Sequence, residues 1–78
     1  MVNVTLISTV EGDWSGLYAD NDLFTEGHSI SETDWLNFIV EYKNFSTYEI
    51  YEIDMEDIEE LGCNFPDKLS KIPRSYLI

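Results

Sequence analysis

The sequence predicts a small α+β domain: an antiparallel sheet with one main amphipathic helix packed on it and a short acidic second helix, in the order β-β-β-α-β-α. Two observations lead to this class. Apolar and polar residues alternate near the N-terminus and in residues 47–53, which is the two-residue period of a strand. Apolar residues recur at helical spacing in residues 35–42. The 78 residues show no repeat and no linker, so we expect one domain over residues 1–78.

The first strand is predicted to run from Val2 to about Thr9, because apolar and polar residues alternate there. Residues 14–19 and 23–28 are rich in strand-forming residues, and the acidic tripeptide DND between them favours a tight turn. These two segments therefore predict a β-hairpin. Gly16 inside its first strand indicates a bulge or a neighbour packed close to the backbone, for which a tryptophan is the candidate.

The main helix has a well-marked start. Ser31 suits the N-cap position, and Asp34 three residues later completes a variant of the capping box. The helix is expected to end near Lys43. The apolar positions expected to cover the sheet are Trp35, Leu36, Phe38, Ile39, Val40 and Tyr42.

A fourth strand is predicted over residues 47–53, where Tyr or Ile is mixed with Glu on both faces, a pattern that indicates an edge or partly exposed strand. Asp54 is expected to cap a short acidic helix over residues 55–61 with Asp57 at the N3 position, and Gly62 suits the position after its end. The remaining tail is predicted to lie over the core as irregular chain with one helical turn.

Charge and composition limit the function. Sixteen Asp and Glu against four Lys and Arg give a net charge of −12, so the surface is expected to repel nucleic acids and anionic membranes. With 44% hydrophobic residues the chain is too apolar for a disordered acidic tail. The single cysteine excludes an intramolecular disulfide, and no signal peptide or membrane span is recognisable, so we expect a cytoplasmic protein.

The most acidic stretch is residues 48–62, YEIYEIDMEDIEELG, which holds seven carboxylates and no basic residue. In the predicted helix, Glu56 and Asp57 complement the helix dipole. Glu59 and Glu60 oppose the dipole, and the like-charge pair of Glu56 with Glu60 costs roughly 0.2 to 0.5 kcal/mol. A local cost without a local gain indicates a binding role, and the alternative is a plain solvated surface.

The candidate partner-binding surface combines this helix with the fourth strand and the hairpin tip. Tyrosine suits a surface that is both apolar and hydrogen-bonding, and an acidic rim around it suits an Arg-rich partner. A row of carboxylates also approximates the phosphate row of a nucleic acid. The candidate residues are Tyr48, Glu49, Tyr51, Glu52, Glu56, Asp57, Glu59, Glu60, Asp20 and Asp22.

No catalytic, cofactor-binding or metal-binding residue is predicted, and the protein is not expected to be an enzyme. A calcium-binding EF-hand loop counted from Asp20 requires Gly and Glu where Thr25 and Ser31 stand. Acids this abundant lie near one another by chance, so their pairing does not indicate general acid–base catalysis. His28, at a strand end, is expected to be a hydrogen-bonding residue that anchors the following loop rather than to form a nucleophilic pair with Cys63.

In size, charge and mixed α+β composition the whole chain resembles the small acidic inhibitors of phages and mobile elements, including DNA-mimic anti-restriction and anti-CRISPR proteins. The resemblance implies a monomer or homodimer that occupies the nucleic-acid site of a host enzyme in the host cytoplasm. Two alternatives stay open: an immunity protein or antitoxin against a basic nuclease toxin, and a small structural or assembly subunit whose apolar C-terminus, SYLI, packs in an oligomer.

Overall fold

The computed structural model describes residues 2–78 and places a helical layer on each face of one four-stranded sheet. The strands are β1 (Val2–Thr9), β2 (Ser15–Ala19), β3 (Asp22–Gly27) and β4 (Phe45–Ile53). The helices are α1 (Glu32–Glu41) and α2 (Met55–Glu60), and two short 3-10 turns, Leu69–Lys71 and Arg74–Tyr76, follow in the C-terminal tail. The predicted fold class and order of elements are confirmed.

The order of strands in the sheet is β3-β2-β1-β4. β1 with β2 and β2 with β3 are antiparallel, but β4 runs parallel to β1, so the sheet is mixed rather than wholly antiparallel as the sequence predicted. The reason is that α1 returns the chain to the starting end of β3, as a helical crossover does, and the next strand then runs in the same direction. β4 lies at an edge, as predicted.

One face of the sheet, called here the helix face, carries Leu6, Leu17 and Ala19 and is covered by α1. The predicted capping box is present: the Ser31 hydroxyl accepts the Asp34 N–H at 3.1 Å, and the Asp34 carboxylate accepts the Ser31 N–H at 3.2 Å. This local exchange of hydrogen bonds satisfies two backbone donors of the first turn and fixes where α1 begins.

Phe38 is the residue that α1 buries, at 1% exposure, against the helix face. Its neighbours Leu36, Ile39 and Val40 were expected to cover the sheet as well, and this expectation is wrong: they are 63%, 49% and 69% exposed. A straight helix turns only one side toward a sheet, and apolar residues over more than that side are left in solvent.

The opposite face, called here the tail face, carries Ile7, Tyr18 and Ile53 and is covered by α2 and the C-terminal tail. Phe65 of the tail packs so close to Gly16 that a Cβ there would lie 2.8 Å from the ring. The close neighbour predicted from Gly16 is therefore a phenylalanine of the tail and not a tryptophan.

The two ends of α2 differ in how they are capped. Asp54 is the N-cap residue, but its side chain makes no capping hydrogen bond, so the predicted second capping arrangement is not formed. The C-terminal end is closed by backbone bonds: Gly62, at φ +100°, donates to the Glu59 carbonyl, and Cys63 donates to the Ile58 carbonyl. Those two bonds form a Schellman motif, as the position of Gly62 predicted. Burial of Ile58 supplies the stability that a short helix lacks by itself.

Tyr18 joins the sheet to the tail. It is fully buried, and its hydroxyl donates to the Pro66 carbonyl at 2.7 Å. Burial, and after it the negative charges of Glu26 and Asp67, raises the pKa of Tyr18 well above its ordinary value. The native state therefore keeps the phenol proton at a pH where the unfolded chain has lost it.

Tyr18→Phe is expected to flatten the alkaline pH dependence of stability. A raised native pKa gives a contribution that is complete below about pH 10 and is lost above it, at up to about 1.4 kcal/mol per pH unit. The variant lacks this loss, although removing the hydrogen bond costs about 0.5 to 1.5 kcal/mol at neutral pH. Urea denaturation of both proteins between about pH 8 and pH 11 measures the difference. Identical slopes above about pH 10 would show that Tyr18 is not the responsible group.

Candidate partner-binding surface

The outer side of α2 is a carboxylate surface. Ile58 is 1% exposed and anchors the helix to the tail face. Glu56, Glu59 and Glu60 are exposed on the other side, and Asp57 is half-buried. Of the four α2 acids predicted to bind a partner, three are therefore fully available and Asp57 is partly covered.

The two lysines of the tail form ion pairs with carboxylates outside α2. Within residues 2–78 the structure has two ion pairs: Lys68 with Asp22, and Lys71 with Asp67, whose Nζ and Oδ1 atoms are 2.8 Å apart. The bond to Lys71 lowers the pKa of Asp67, and the bond to Asp22 raises the pKa of Lys68. These pairs fix the tail to β3 and to itself, so in this part of the chain none neutralises a carboxylate of α2.

Glu49 and Tyr51 lie on the tail face of β4 and are bonded to each other. The Glu49 carboxylate accepts the Tyr51 hydroxyl and, at 3.2 Å, the Asn3 side-chain amide. The Tyr51 bond, more than the Asn3 bond, lowers the pKa of Glu49, while the same bond to Glu49 raises the pKa of Tyr51. The Arg74 guanidinium stands 5.4 Å from the centre of the Tyr51 ring. Glu49 and Tyr51 are therefore engaged with other residues of the same chain.

Tyr48 and Glu52 lie on the opposite, helix face of β4, because β1 pairing places them beside Val4 and Ser8. Tyr48 is 75% exposed. It borders a groove of about 450 Å³ between α1 and β4. The lining residues are Val4, Leu6, Trp35, Phe38, Ile39, Phe45, Ser46, Thr47, Tyr48, Glu49 and Ile50.

The hairpin tip with Asp20 and Asp22 lies at the other end of the sheet from α2. Ala19 pairs with Val4 near the start of β1, whereas α2 follows the end of β4. Asp20 accepts the Asn3 backbone N–H at 3.0 Å, and Asp22 is paired with Lys68. The ten candidate residues therefore fall into separate places: the acids of α2, the tail-face pair of β4, the helix-face residues of β4, and the hairpin tip.

The apolar groove between α1 and β4 was not predicted from the sequence. Its rim is made by side chains that were assigned to the core or to an acidic strand. A signal was present, because apolar residues cover more than half of the circumference of α1, and a helix that is apolar beyond one stripe needs a second covering surface. Ile50 beside Tyr48 adds to this surface at 64% exposure.

His28 makes a hydrogen bond, but to the loop between β1 and β2, whereas a bond to the loop that follows His28 was expected. Its Nδ1 atom lies 3.2 Å from the Asp13 carbonyl in the loop before β2, and its ring meets the edge of Trp14 at 4.9 Å. Cys63 is exposed. His28 therefore ties β3 to the loop between β1 and β2.

Two further features of residues 2–78 bear on function. No three His, Cys, Asp or Glu side chains in that range are grouped so that they could hold a metal ion. No helix there combines the length and apolar character needed to cross a membrane.

Comparisons with protein-family models, with curated proteins and with solved structures found no match. Charge and geometry of the chain's own residues are thus what support a function.

Proposed function

We propose that this chain is a non-enzymatic acidic binding protein that docks onto a basic, nucleic-acid-binding protein in the cytoplasm and inhibits it, in the manner of DNA-mimic and anti-defence inhibitors. The observation that carries the proposal is the α2 surface. Glu56, Glu59 and Glu60 are exposed, and within residues 2–78 no Lys or Arg pairs with them. Glu59 and Glu60 lie at the C-terminal end of α2, where negative charge opposes the helix dipole.

A basic partner relieves the repulsion that this surface creates. The chain carries −12 in 78 residues, more than the magnitude of about 2 to 8 that serves the solubility of a small domain. Carboxylates three and four residues apart on a helix advance about 4.5 to 6 Å along its axis. Phosphates of one DNA strand advance about 3.4 Å per step along the duplex axis, with a longer spacing along the winding backbone. A groove lined with Lys and Arg for phosphates accordingly accepts the α2 carboxylates.

The same charge speeds the encounter. Oppositely charged surfaces steer association toward about 10⁸ to 10⁹ M⁻¹s⁻¹ at low salt. Salt at physiological strength screens charges beyond about 8 Å, so binding through exposed carboxylates is strongly salt-dependent. These properties suit an inhibitor that competes with a nucleic acid for its site.

Affinity capture tests the proposal. The immobilised protein is incubated with a bacterial lysate at about 50 mM and about 300 mM NaCl, and the bound proteins are identified. We expect basic nucleic-acid-binding proteins at the lower salt concentration and their release by added duplex DNA. Retention of no such protein, or retention that duplex DNA leaves unchanged, would contradict the proposal.

A further inference from the structure

We propose that two copies of the chain pair antiparallel through the free edge of β4, giving a twofold-symmetric dimer with a continuous eight-stranded sheet. This dimer is independent of the basic partner proposed above. It rests on the backbone of β4, on the apolar surface beside it, and on the register that the side chains allow.

The outer backbone edge of β4 already hydrogen-bonds to the last residue of the chain at one end. Glu52 and Ile78 exchange both backbone hydrogen bonds, at 3.2 and 2.9 Å, which is the pattern of an antiparallel pair. The Ile53 carbonyl instead accepts the Val10 N–H on the β1 side. Because backbone groups alternate direction along a strand, the N–H and C=O of Tyr48 point outward, as those of Glu52 do. No strand of residues 2–78 covers that part of the edge.

The side chains along this edge form an apolar surface. Tyr48 and Ile50 lie on the helix face, and α1 extends the surface across the groove. Four large apolar side chains that line the groove are exposed: 49% for Ile39, 42% for Phe45, 75% for Tyr48 and 64% for Ile50. At about 150 to 200 Å² for each large side chain they expose roughly 400 Å² in total. That lies within the range of about 300 to 600 Å² for the largest patch on a typical monomer and is about half of the 800 Å² or so per partner of a standard interface, so the backbone pairing of β4 supplies the rest of the proposed contact.

The position of the twofold axis follows from the carboxylates. In a register centred on Tyr48, the two Tyr48 side chains meet on the helix face, and Glu49 lies opposite Thr47 of the other copy. A register centred on Glu49 sets two carboxylates directly opposite each other, which is destabilising. The Tyr48 register also brings the apolar rims of both α1 helices over the same side of the joined sheet. The surface is thus self-complementary, as a twofold interface requires.

Charge opposes this dimer: in the Tyr48 register the two Glu49 carboxylates are diagonal neighbours about 7 to 8 Å apart, on the tail face and so on the side of the sheet opposite the apolar contact. Each copy carries −12. In the Tyr48 register the two Glu52 residues are about 26 Å apart along the strands, several times the screening length of about 8 Å at physiological salt. Added salt therefore weakens the repulsion and leaves the apolar contact. The dimer is expected to become tighter as salt rises, whereas binding of a basic partner through carboxylates becomes weaker.

Sedimentation equilibrium of the full chain tests this inference, between about 10 and about 500 μM protein at about 50 and about 500 mM NaCl. We expect the mass to rise from 9.1 kDa toward twice that value with protein concentration, and the dissociation constant to fall with salt. A mass of 9.1 kDa under all these conditions would overturn the dimer. That result would not bear on the proposed binding of a basic partner, because affinity capture from lysate tests that binding separately.

Two pairs of variants locate the interface. Ile50→Lys is expected to raise the dissociation constant at least about tenfold, because it places an ammonium group in the apolar contact. Val10→Lys makes the same charge change at a 48% exposed apolar residue outside the groove and is expected to change it less than about threefold. Equal effects of the two substitutions would overturn the proposed interface.

Tyr48→Pro removes an outward N–H, which an edge strand tolerates. The variant is expected to be folded by circular dichroism and monomeric by sedimentation equilibrium. Glu49→Pro removes an N–H directed toward β1 and is expected to unfold the chain. A folded Tyr48→Pro variant that still dimerises would overturn the edge pairing. Unfolding of Tyr48→Pro would show that its N–H is not directed outward and would overturn the inference as well.

Discussion

Replacing Phe38 by alanine is expected to remove about 3 to 5 kcal/mol from the free energy of unfolding. A chain of this length has a total of about 4 to 12 kcal/mol, so the variant loses a large share of its stability. Phe38 is 1% exposed, and the centre of its ring lies 5.1 to 6.2 Å from those of four other aromatic residues: Phe24, Trp35, Tyr42 and Phe45. Urea denaturation followed by circular dichroism measures the loss.

Leu36→Ala is the matched control on the same helix. Leu36 is 63% exposed, and its truncation is expected to change the free energy of unfolding by about 0.5 kcal/mol or less. The measurement is made at low protein concentration, where self-association does not contribute. Equal losses at positions 36 and 38 would mean that α1 packs with a different side toward the sheet.

The second large effect is on partner binding. Simultaneous Glu56→Lys, Glu59→Lys and Glu60→Lys substitutions change the net charge from −12 to −6 and are expected to abolish capture of the basic partner. The fold is expected to persist, because the residues are exposed and the substitutions at positions 59 and 60 place positive charge at the C-terminal end of α2, where the helix dipole favours it. Capture from lysate measures partner binding by the triple variant, and its thermal unfolding measures whether the fold persists.

A second triple variant separates position from total charge. Glu11→Lys, Asp13→Lys and Glu41→Lys also give a net charge of −6 and change exposed residues outside α2 and β4. We expect this variant to retain the partner with at most a few-fold loss. An equal loss in both triple variants would mean that the overall negative field, and not the α2 surface, is responsible.

Elements defined by neighbouring residues were predictable from the sequence. The start of α1 depends on hydrogen bonds between Ser31 and Asp34, only three residues apart, and the end of α2 depends on the positive φ of Gly62. The hairpin turn, with Asp20 at φ 53°, is equally local. Such bonds close within one turn of chain and do not depend on distant contacts, although the equally local cap predicted at Asp54 is not formed.

Features that depend on distant contacts were not predictable. The direction of β4 follows from where the crossover returns the chain, and the pairing of β4 with β1 joins residues more than forty positions apart. The exposure of Leu36 and Val40 depends on which strands α1 covers. Periodicity identifies an apolar helix but does not state how wide a surface is available to cover it.

In the candidate site, too, features set by neighbouring residues were predictable and features set by distant contacts were not. The outward acids of α2 follow from the helical period and from the inward Ile58. The separation of Tyr48 from Tyr51 follows from strand alternation, since residues three apart on a strand lie on opposite faces. The engagement of Asp22 with Lys68 joins the hairpin to a tail 46 residues away, and no local pattern indicates such a contact.

The most direct measurement is a calorimetric titration of the captured partner with the native protein and with the Glu56, Glu59 and Glu60 lysine variant, over a series of NaCl concentrations. If the exposed carboxylates of α2 supply the affinity, the logarithm of the native association constant decreases steeply with the logarithm of salt concentration, and the variant shows a smaller slope and weaker binding at low salt. An affinity that does not change with salt, or a variant with the native slope and affinity, would contradict this account.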